Sequence, residues 1–557
     1  MCAACPERSA VKRWLLLVAM ALATAGAPAG CVPDAPPRIE LAEGTAVAEK
    51  LGLVLWVDGF DIETFQQLRR EGRLPNISRY LVDRGVTVRR AVACLPTITY
   101  ANNVSFHTGL LPGHHHIVGN KWFDRHRLVF QDYGSTRTYR QVDGDFSAAT
   151  IHELLADELT VSILTPVRRG AARHIDNWAT AGVAWFFGFQ ETVNHLTTLR
   201  FELIGQLADR VGRWPRFILA YFVAPDTVAH AHGPEGRAYT DILLDVDRQV
   251  GHICRALNRA GLLERTYLTL ISDHGFVATP RHLDVAAWFR EKLAVPTASK
   301  PFGRDVPLER RAAHFERVRA VVVSGGDRRC NIYLRAGPHW WRRPSAEQIE
   351  AFPHPPAAPG AAPRRARRLS EMLAAPQAVE LVVVRLGDDA AGVRSRSGAG
   401  EIDRIRRAGR KRYRYRVLSG TDPLGYSSIP AAAKLIDGAY HDADAWLAAT
   451  VDTPKPDCVP QLIELNDSHR SGDVVLFAAD GWDFGRSNRG GHGGLLRHEI
   501  IVPWVWAGPD LPAGASIPVA RTVDLMPTML HLLGRDDRIP AGLDGRSLAE
   551  QLKRAGR

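Results

Sequence analysis

Five short apolar runs, each followed by polar residues, constrain the fold of this chain more than any other feature. Each is continuously apolar over five to eight residues and does not alternate, a pattern typical of parallel strands covered by helices on both faces. The runs are LGLVLWVDGF, FILAYFVAPD, YLTLISDHGF, DVVLFAADGW and IIVPWVWAGPD. Helical patterns lie between them, such as IETFQQLRREG, LLDVDRQVGHICRALNRAG and VDLMPTMLHLLG. This order predicts an α/β fold with a mostly parallel central sheet flanked by helices.

An aspartate follows each of these runs, and three of these aspartates are candidates for a site. Asp58, Asp226 and Asp273 follow the first three runs, and ligands of open α/β sheets gather at the carboxyl ends of the strands. We therefore expect the three carboxylates to converge, where they would repel one another unless cations lie between them. Capping of the next helix accounts for one such aspartate but not for three.

Histidines accompany these aspartates. His230 comes four residues after Asp226, His274 directly follows Asp273, and His492 lies in the glycine-rich run GGHGG. Carboxylate oxygens and imidazole nitrogens together suit zinc or manganese better than calcium. The sequence thus predicts a site for divalent cations, with zinc as the first choice and manganese as the alternative.

The segment CLPTITYANNVSFHTGLLPG, residues 94 to 113, is rich in hydroxyl and amide groups but contains no Asp, Glu, Lys or Arg. A bound divalent cation can turn a threonine hydroxyl into a nucleophile. Thr99 is expected at the start of a short helix of about residues 100 to 108, whose N-terminal N–H groups favour a phosphoryl group. Helix capping by Thr97 or Thr99 is the structural alternative.

Five separated motifs resemble, in order and spacing, the nucleotide pyrophosphatase/phosphodiesterase branch of the alkaline phosphatase superfamily. They are VDGF at 57 to 60, PTITYANNVSFHTGLLPGHHHIVGN at 96 to 120, PDTVAH at 225 to 230, SDHG at 272 to 275 and GGHGG at 490 to 494. The resemblance covers roughly residues 50 to 280 and 470 to 550. It implies an alkaline-phosphatase-like core that hydrolyses phosphodiester or pyrophosphate bonds of nucleotide-like substrates.

The resemblance also implies roles for individual residues. Thr99 would be the nucleophile and would form a covalent phosphothreonine intermediate, and Asn120 would donate a hydrogen bond to a phosphate oxygen. Two divalent metal ions are implied. One would be held by Asp58, Thr99, Asp273 and His274, and the other by Asp226, His230 and His492.

Two departures from the family pattern concern the substrate. The family usually has T-F-P-N-H where this chain reads TYANN from Thr99, and H-G-I where it has His115, His116 and Ile117. Tyr100 offers the same flat face to a nucleobase as phenylalanine does. Packing in the pocket wall is an equally good interpretation of Tyr100, and both remain open.

Other reactions of the superfamily fit the sequence less well. A sulfatase needs C-x-P-S-R, whereas Cys94 lies five residues too early and no arginine follows. Asn120 in place of a charged clamp favours a substrate with one fewer negative charge, namely a diester. A phosphomonoesterase or phosphonate hydrolase on the same site is the alternative. A noncatalytic surface lipoprotein that binds polyanions is the alternative from another class.

Residues 1 to 31 are predicted to be an export signal. Lys12 and Arg13 precede the apolar run WLLLVAMALATAGAPAG, and Cys31 follows it, as a secretory signal requires. Cys31 is a candidate for lipid attachment, although Pro28 is atypical three residues before it. A membrane-anchored lipoprotein and a periplasmic or secreted protein therefore both remain open. Residues 32 to 47 are predicted to be a linker.

The remaining chain divides into three predicted parts. Residues 48 to 280 and 456 to 557 would form the core, and residues 281 to 455 a small inserted β-rich cap. The cap contains a Pro/Ala/Arg stretch, FPHPPAAPGAAPRRARR, that is predicted to be mobile. In RIRRAGRKRYRYR we expect Tyr413 and Tyr415 on one face of a strand and the intervening arginines on the other. That pattern predicts a solvated basic face and no specific nucleic-acid partner.

The composition of the chain excludes several classes of protein. With 45% hydrophobic and 24% charged residues, no second long apolar run and a net charge of +11 over 557 residues, the chain is not a multi-span membrane protein. The four cysteines after the signal form no C-x-x-C pair, so neither a zinc ribbon nor a disulfide scaffold is predicted. They are Cys94, Cys254, Cys330 and Cys458. Their pairing and the oligomeric state stay open.

Overall fold

The computed structural model describes residues 35–556 except 136, 177–187, 301, 325–327, 336, 354–366, 408 and 486. The predicted export signal, Cys31 and most of the Pro/Ala/Arg stretch lie outside the described residues. Two eight-stranded sheets and the helices around them form the described part of the chain.

The first sheet carries the predicted parallel strands. Three neighbouring strands at its centre, Thr266–Ser272, Leu51–Val57 and Phe217–Phe222, run parallel, so their carboxyl ends lie side by side. The complete order is Ala515–Ile517, Gly85–Val88, Trp504–Ala507, Thr266–Ser272, Leu51–Val57, Phe217–Phe222, Thr160–Ile163 and Arg173–Ile175. Trp504–Ala507 is antiparallel to both of its neighbours, which corrects the parallel direction expected for the last apolar run.

The second sheet is nearly all antiparallel. Its order is Thr297–Ala298, Ala320–Ser324, Arg329–Leu334, Val474–Ala478, Val379–Arg385, Ala390–Arg394, Gly398–Arg407 and Arg410–Gly420. The predicted β-rich insertion supplies seven of these strands. The sheet is as wide as the first one and is completed by a strand from beyond residue 455.

That strand, Val474–Ala478, was expected in the parallel sheet, and this expectation is wrong. It pairs antiparallel with Arg329–Leu334 and Val379–Arg385. Its side chains alternate between two hydrophobic cores, because Val475 and Phe477 pack in the main core whereas Leu476 and its even-numbered neighbours pack in a second one. Continuous apolarity reports burial on both faces and does not report strand direction.

Helices and short ribbons cover both sheets. The α-helices are Ile62–Arg70, Pro75–Ile77, Thr99–Thr108, Pro112–His115, Ile151–Leu154, Gln190–Val211, Ala224–His232, Arg237–Arg259, Val285–Lys292, Leu308–Glu316, Ala346–Ala351, Leu369–Ala374, Pro430–Ala433, Ala443–Thr450, Cys458–Glu464, Arg497–Ile500, Leu525–Leu532 and Ala549–Lys553. The ribbons are Val277–Ala278 with Gly490–Gly491, Arg281–His282 with Trp482–Asp483, Lys121–Asp124 with Val129–Asp132, and Ile501–Val502 with Ala91–Val92 and Ala520–Arg521. Within the described residues, none of the helices is both long and apolar enough to cross a bilayer.

The predicted linker packs on the protein from residue 38 onwards. The backbone N–H of Arg38 donates to Glu202, and that of Ala42 donates to Asp209 at 2.8 Å. Both acceptors lie on the helix Gln190–Val211, so this part of the chain is held in place by backbone hydrogen bonds that its composition did not reveal.

The basic stretch of the insertion forms a hairpin with the predicted faces. Tyr413 and Tyr415 are 5% and 0% exposed, Arg412 is exposed, and Arg414 and Arg416 are half-buried. The four cysteines of the described chain are all buried and unpaired.

Candidate metal centre and nucleophile

The three central parallel strands place the predicted aspartates next to one another. Asp58 directly follows Leu51–Val57, and Asp273 directly follows Thr266–Ser272. Asp226 lies in the first turn of the helix that follows Phe217–Phe222. Because the strands are neighbours, their ends form one edge, and the expected convergence of the carboxylates is observed.

The first cluster is centred on His274. Its Nε2 atom lies 3.3 Å from Asp58 Oδ1 and 3.3 Å from Asp273 Oδ2. The hydroxyl of Thr99 lies at the same distance, 3.3 Å, from this nitrogen. The exposed fraction is 7% for Thr99 and 1% or less for the other three. All four predicted ligands of the first ion therefore meet at one buried point.

The second cluster adjoins the first. Nε2 of His492 lies 3.4 Å from Asp226 Oδ1 and 3.2 Å from Nε2 of His230, which is itself 3.4 Å from Asp226 Oδ1. The rings of His492 and His274 stack with centroids 3.6 Å apart. The structure thus brings together all seven predicted metal ligands.

Backbone carbonyls orient the histidines of the second cluster. Nδ1 of His492 lies 2.9 Å from the carbonyl oxygen of Thr97, and Nδ1 of His230 lies 2.9 Å from that of Gly490. Because a carbonyl oxygen can only accept, the contact with Thr97 favours the hydrogen on Nδ1 of His492. Nε2 of His492 then keeps its lone pair, which is the form that binds a metal ion.

The electrostatics of the first cluster fit divalent cations. Asp58 Oδ1 and Asp273 Oδ2 are buried and accept no hydrogen bond from the described residues. Burial and the neighbouring carboxylates of Asp273 and Asp226 raise the pKa of Asp58. Burial disfavours protonation of His274, but the carboxylates of Asp273 and Asp58 outweigh it and raise its pKa to about 9. Positive charge is therefore favoured between these oxygens, and O and N ligands of this kind suit a divalent ion.

Thr99 begins the helix Thr99–Thr108, in agreement with the predicted helix. The N-cap is Ile98, and no side chain caps the helix, so the hydroxyl of Thr99 is not used for capping. Thr97 has another task, because its hydroxyl donates to the carbonyl of Gly494 at 2.8 Å and accepts from the N–H of Gly493 at 3.1 Å. Thr97 thereby holds the loop that carries His492.

A cavity of about 240 Å³ opens beside the two clusters. Asp58, Thr99, Asn120 and Asp226 line it on the side of the clusters. The rest of the described lining is mainly apolar and aromatic, and it includes Tyr100, Tyr133, Tyr139, Leu164, Pro166, Val193 and Val223. Among the described lining residues, Asp58 and Asp226 are the only ones with charged side chains.

Asn120 and Tyr100 meet at the edge of this cavity. The N–H of Tyr100 donates to Oδ1 of Asn120 at 3.1 Å, which leaves the NH₂ group of Asn120 as its donor. The ring of Tyr100 stacks on that of Tyr133 at 5.0 Å, and its hydroxyl donates to the carbonyl of Tyr133. Tyr100 therefore packs in the pocket wall, and stacking on a nucleobase stays a prediction.

No pattern in the sequence indicated a role for Tyr221. Its hydroxyl donates to Oδ2 of Asp58, and its ring stacks on Trp56 at 3.8 Å. In the apolar run FILAYF this tyrosine is indistinguishable from a core residue. The role of Thr97 was equally hidden, because its partners lie almost 400 residues further along the chain.

A third group of possible metal ligands lies elsewhere. Nε2 of His114 is 2.8 Å from Glu464 and 3.0 Å from Asp467. Burial opposes protonation of His114, but its bonds to Asp467 and neighbouring carboxylates raise its pKa to about 11. Lys411 contacts Glu464, and Arg404 contacts both carboxylates. Because these cations already neutralise the carboxylates, this group needs no metal and ties the second sheet to the core.

Comparison with known proteins gives one family. Residues 53–340 match the family model described as "Type I phosphodiesterase / nucleotide pyrophosphatase". An uncharacterized pyrophosphatase/phosphodiesterase of Schizosaccharomyces pombe is 27% identical over 254 residues, 42% of this chain and 47% of that protein. A bis(5'-adenosyl)-triphosphatase of Xenopus laevis is 25% identical over 237 residues, 40% of this chain and 46% of that protein. The matches thus span about half the length of these relatives.

A solved structure shares the fold over nearly the whole chain. Murine ectonucleotide pyrophosphatase/phosphodiesterase 5 aligns with a TM-score of 0.51 at 16% identity, covering 90% of this chain and 99% of that one. At this identity the likeness establishes the fold alone. It agrees with an α/β core of the predicted kind joined to an additional sheet.

Proposed function

Because the chain belongs to the type I phosphodiesterase/nucleotide pyrophosphatase family, we propose that it hydrolyses phosphodiester or pyrophosphate bonds of nucleotide-like substrates with Thr99 as the nucleophile. One observation carries this proposal. The hydroxyl of Thr99 lies 3.3 Å from the imidazole of His274, which also contacts Asp58 and Asp273. A nucleophile, a set of metal ligands and a substrate cavity thus share one edge of the sheet.

The metal sites of the proposal follow from the two clusters. Asp58, Thr99, Asp273 and His274 would hold one divalent ion, and Asp226, His230 and His492 would hold the other. When bound, such ions supply charge neutralisation for the phosphate and a lower pKa for the attacking hydroxyl. The mixture of carboxylate and imidazole ligands favours zinc, with manganese as the alternative.

Side chains of this protein carry out the proposed reaction steps. Oγ1 of Thr99 gives up its proton and bonds to phosphorus while the bond to the leaving oxygen breaks and that oxygen takes up a proton, which gives a phosphoryl or nucleotidyl threonine. Water then bonds to phosphorus and breaks its bond to Oγ1, which takes up a proton, so that Thr99 is restored and the phosphate product is released. Asn120 donates its NH₂ group to a nonbridging oxygen, and the dipole at the start of the helix Thr99–Thr108 favours the same negative charge.

The cavity supports a diester rather than a monoester. Its described lining offers no lysine or arginine to balance a second phosphate charge. The aromatic and aliphatic wall around Tyr100 suits a flat, uncharged group such as a nucleobase. Comparing bis(p-nitrophenyl) phosphate with p-nitrophenyl phosphate tests this preference, and faster hydrolysis of the monoester would favour a phosphomonoesterase instead.

The variant Thr99→Ala tests the nucleophile. It should keep the fold and the metal content, measured by circular dichroism and elemental analysis, but lose nearly all turnover of the diester. Thr108→Ala, at the other end of the same helix, is the matched control, because among the described residues the hydroxyl of Thr108 bonds only to the carbonyl of Val104 and to the N–H of Leu110. Substantial turnover by Thr99→Ala would refute the assignment.

Export is the last part of the proposal. Lys12, Arg13 and the apolar run before Cys31 support a secretory signal. Incorporation of labelled palmitate into the wild type but not into Cys31→Ser would identify a membrane-anchored lipoprotein. Its absence from both would favour a periplasmic or secreted protein.

A further inference from the structure

In the hairpin of Gly398–Arg407 and Arg410–Gly420, the charged side chains near the base form ion pairs across the two strands. On one face, cross-strand pairing places Glu401 opposite Arg416 and Asp403 opposite Arg414. Each pair forms an ion pair, at 2.5 Å for Arg416 with Glu401 and 2.9 Å for Arg414 with Asp403. Every arginine of this section thus has a carboxylate on the facing strand, as is favourable for cross-strand neighbours.

The tip of the same face departs from this pattern. Its next two cross-strand pairs are Ile405 with Arg412 and Arg407 with Arg410. All three arginines are exposed, and within the described part of the chain no carboxylate lies close enough to pair with them. Ile405 is 37% exposed among them. We call the side chains of Ile405, Arg407, Arg410 and Arg412 the basic tip.

The orientation of the basic tip is fixed by the protein. Behind it, on the other face of the hairpin, Lys411 contacts Glu464, and Arg404 lies 3.0 Å from the same carboxylate. Glu464 is the last residue of the helix Cys458–Glu464. Since Lys411 lies between Arg410 and Arg412, this tie reaches the tip of the hairpin, and the basic tip is presented in a defined direction.

Exposed arginines without an ion-pair partner in the described chain, grouped around an exposed aliphatic side chain, fit an anionic lipid surface. Arginines near anionic headgroups gain electrostatic attraction, and an aliphatic side chain at the same level can enter the interface between headgroups and acyl chains. Single-stranded nucleic acid would require exposed aromatic side chains for stacking. The tyrosines of this hairpin, Tyr413 and Tyr415, are buried on the opposite face.

We propose that the basic tip docks on the surface of an anionic lipid bilayer, with Arg407, Arg410 and Arg412 on the headgroups and Ile405 in the interface. This docking is independent of the hydrolase activity and of lipid attachment at Cys31. It would set the direction in which the molecule lies on a membrane.

Cosedimentation of the full chain with vesicles tests the proposal. Vesicles of phosphatidylcholine containing phosphatidylglycerol are compared with vesicles of phosphatidylcholine alone, which report any contribution from the N-terminal apolar segment. We expect at least about tenfold tighter binding to the anionic vesicles at low salt, falling as salt is added. The triple variant Arg407→Gln, Arg410→Gln and Arg412→Gln should lose this difference while keeping its melting temperature and diester turnover.

A second triple variant separates the basic tip from net charge. Arg69, Arg70 and Arg89 are also exposed and have no ion-pair partner among the described residues, so changing all three to Gln removes the same charge elsewhere. This control should bind anionic vesicles like the wild type. An equal loss in the control, or unchanged binding by the tip variant, would overturn the proposal.

Two further measurements test whether the partner of the basic tip is a lipid bilayer. Ile405→Ser should weaken binding to anionic vesicles without changing its dependence on salt, and an unaltered affinity would overturn the role of Ile405. Binding of a single-stranded oligonucleotide is measured in parallel. Tighter binding to the oligonucleotide than to the vesicles, lost in the tip variant, would identify a nucleic-acid surface and overturn membrane docking.

Discussion

At the scale of single residues, the candidate site depends on groups that hold its ligands in place. Tyr221 donates its hydroxyl to Asp58 and stacks on Trp56, and Thr97 bonds to the loop that carries His492. Such outer partners fix the orientation of ligands and thereby affect metal affinity. Asp58 has no freedom to turn away while Tyr221 occupies its second oxygen.

Tyr221→Phe removes that hydroxyl and keeps the ring. We expect the affinity for a divalent ion to fall about 10- to 100-fold, as is usual when such a partner is lost, with turnover recovering at high metal concentration. Metal titration monitored by diester hydrolysis measures both effects. Tyr267→Phe is the control, because Tyr267 lies in the same sheet and its hydroxyl donates to Asp510, away from the metal ligands. Equal metal affinity for Tyr221→Phe and the wild type would contradict the positioning role.

His116 shows the conformational cost of one departure from the family pattern. It stands where the family usually has glycine, and its φ angle is 67°, in the left-handed region that glycine adopts without strain. His116→Gly should therefore raise the free energy of unfolding by about 1 kcal/mol, measured by urea denaturation. His115→Gly should lower it instead, because His115 bonds to Ser105 and Ile117. A destabilised His116→Gly variant would show that its ring contact with His469 outweighs the backbone strain.

At the scale of elements, local signals predicted the site better than they predicted the second sheet. Asp58, Asp273 and His274 follow strands whose apolar runs are visible in the sequence, so sheet geometry alone brings them together. Val474–Ala478 has the same kind of run but belongs to another sheet, because partner choice depends on residues far away in the chain. The partners of Thr97 and Tyr221 are long-range in the same way, and no local pattern marks them.

The two-sided burial of Val474–Ala478 predicts its mutational response. Leu476→Ala and Phe477→Ala should each lower the free energy of unfolding by about 2–5 kcal/mol, although the two side chains point into different cores. The strand Arg410–Gly420 is buried on one face only. There, Arg414→Ala should lower the free energy of unfolding by less than about 1 kcal/mol, because the ion pair of Arg414 is partly solvated. Thermal and urea denaturation of the three variants measure the contrast. A small effect at either Leu476 or Phe477 would contradict burial on both faces.

At the scale of the whole molecule, buried neutral histidines connect stability to pH. His107 and His152 are 0% exposed, and their rings lie 5.5 Å apart. Neither nitrogen of His152 has a hydrogen-bond partner among the described residues. Burial lowers the pKa of His107 to about 4, and burial together with the nearby His107 holds the pKa of His152 well below its usual value.

These shifts predict loss of stability in mild acid. Below about pH 6.5 the unfolded chain binds protons on these histidines, whereas the folded protein does not protonate His107 until about pH 4. The unfolded state therefore holds more protons between these values, and the free energy of unfolding falls as the pH is lowered. Each such histidine contributes at most about 1.4 kcal/mol per pH unit. Urea denaturation from pH 7 to pH 4.5 should show this slope.

His152→Leu separates this effect from metal release, which also occurs in acid because protonated histidines no longer bind metal. The leucine has a similar volume and cannot take up a proton, so the variant should lose less stability than the wild type between pH 7 and pH 4.5. Metal release is common to both proteins and cancels in the comparison. His126→Leu removes an exposed imidazole and serves as the control. An equal flattening in that control, or parallel curves for His152→Leu and the wild type, would mean that the buried pair does not set the acid limit of the fold.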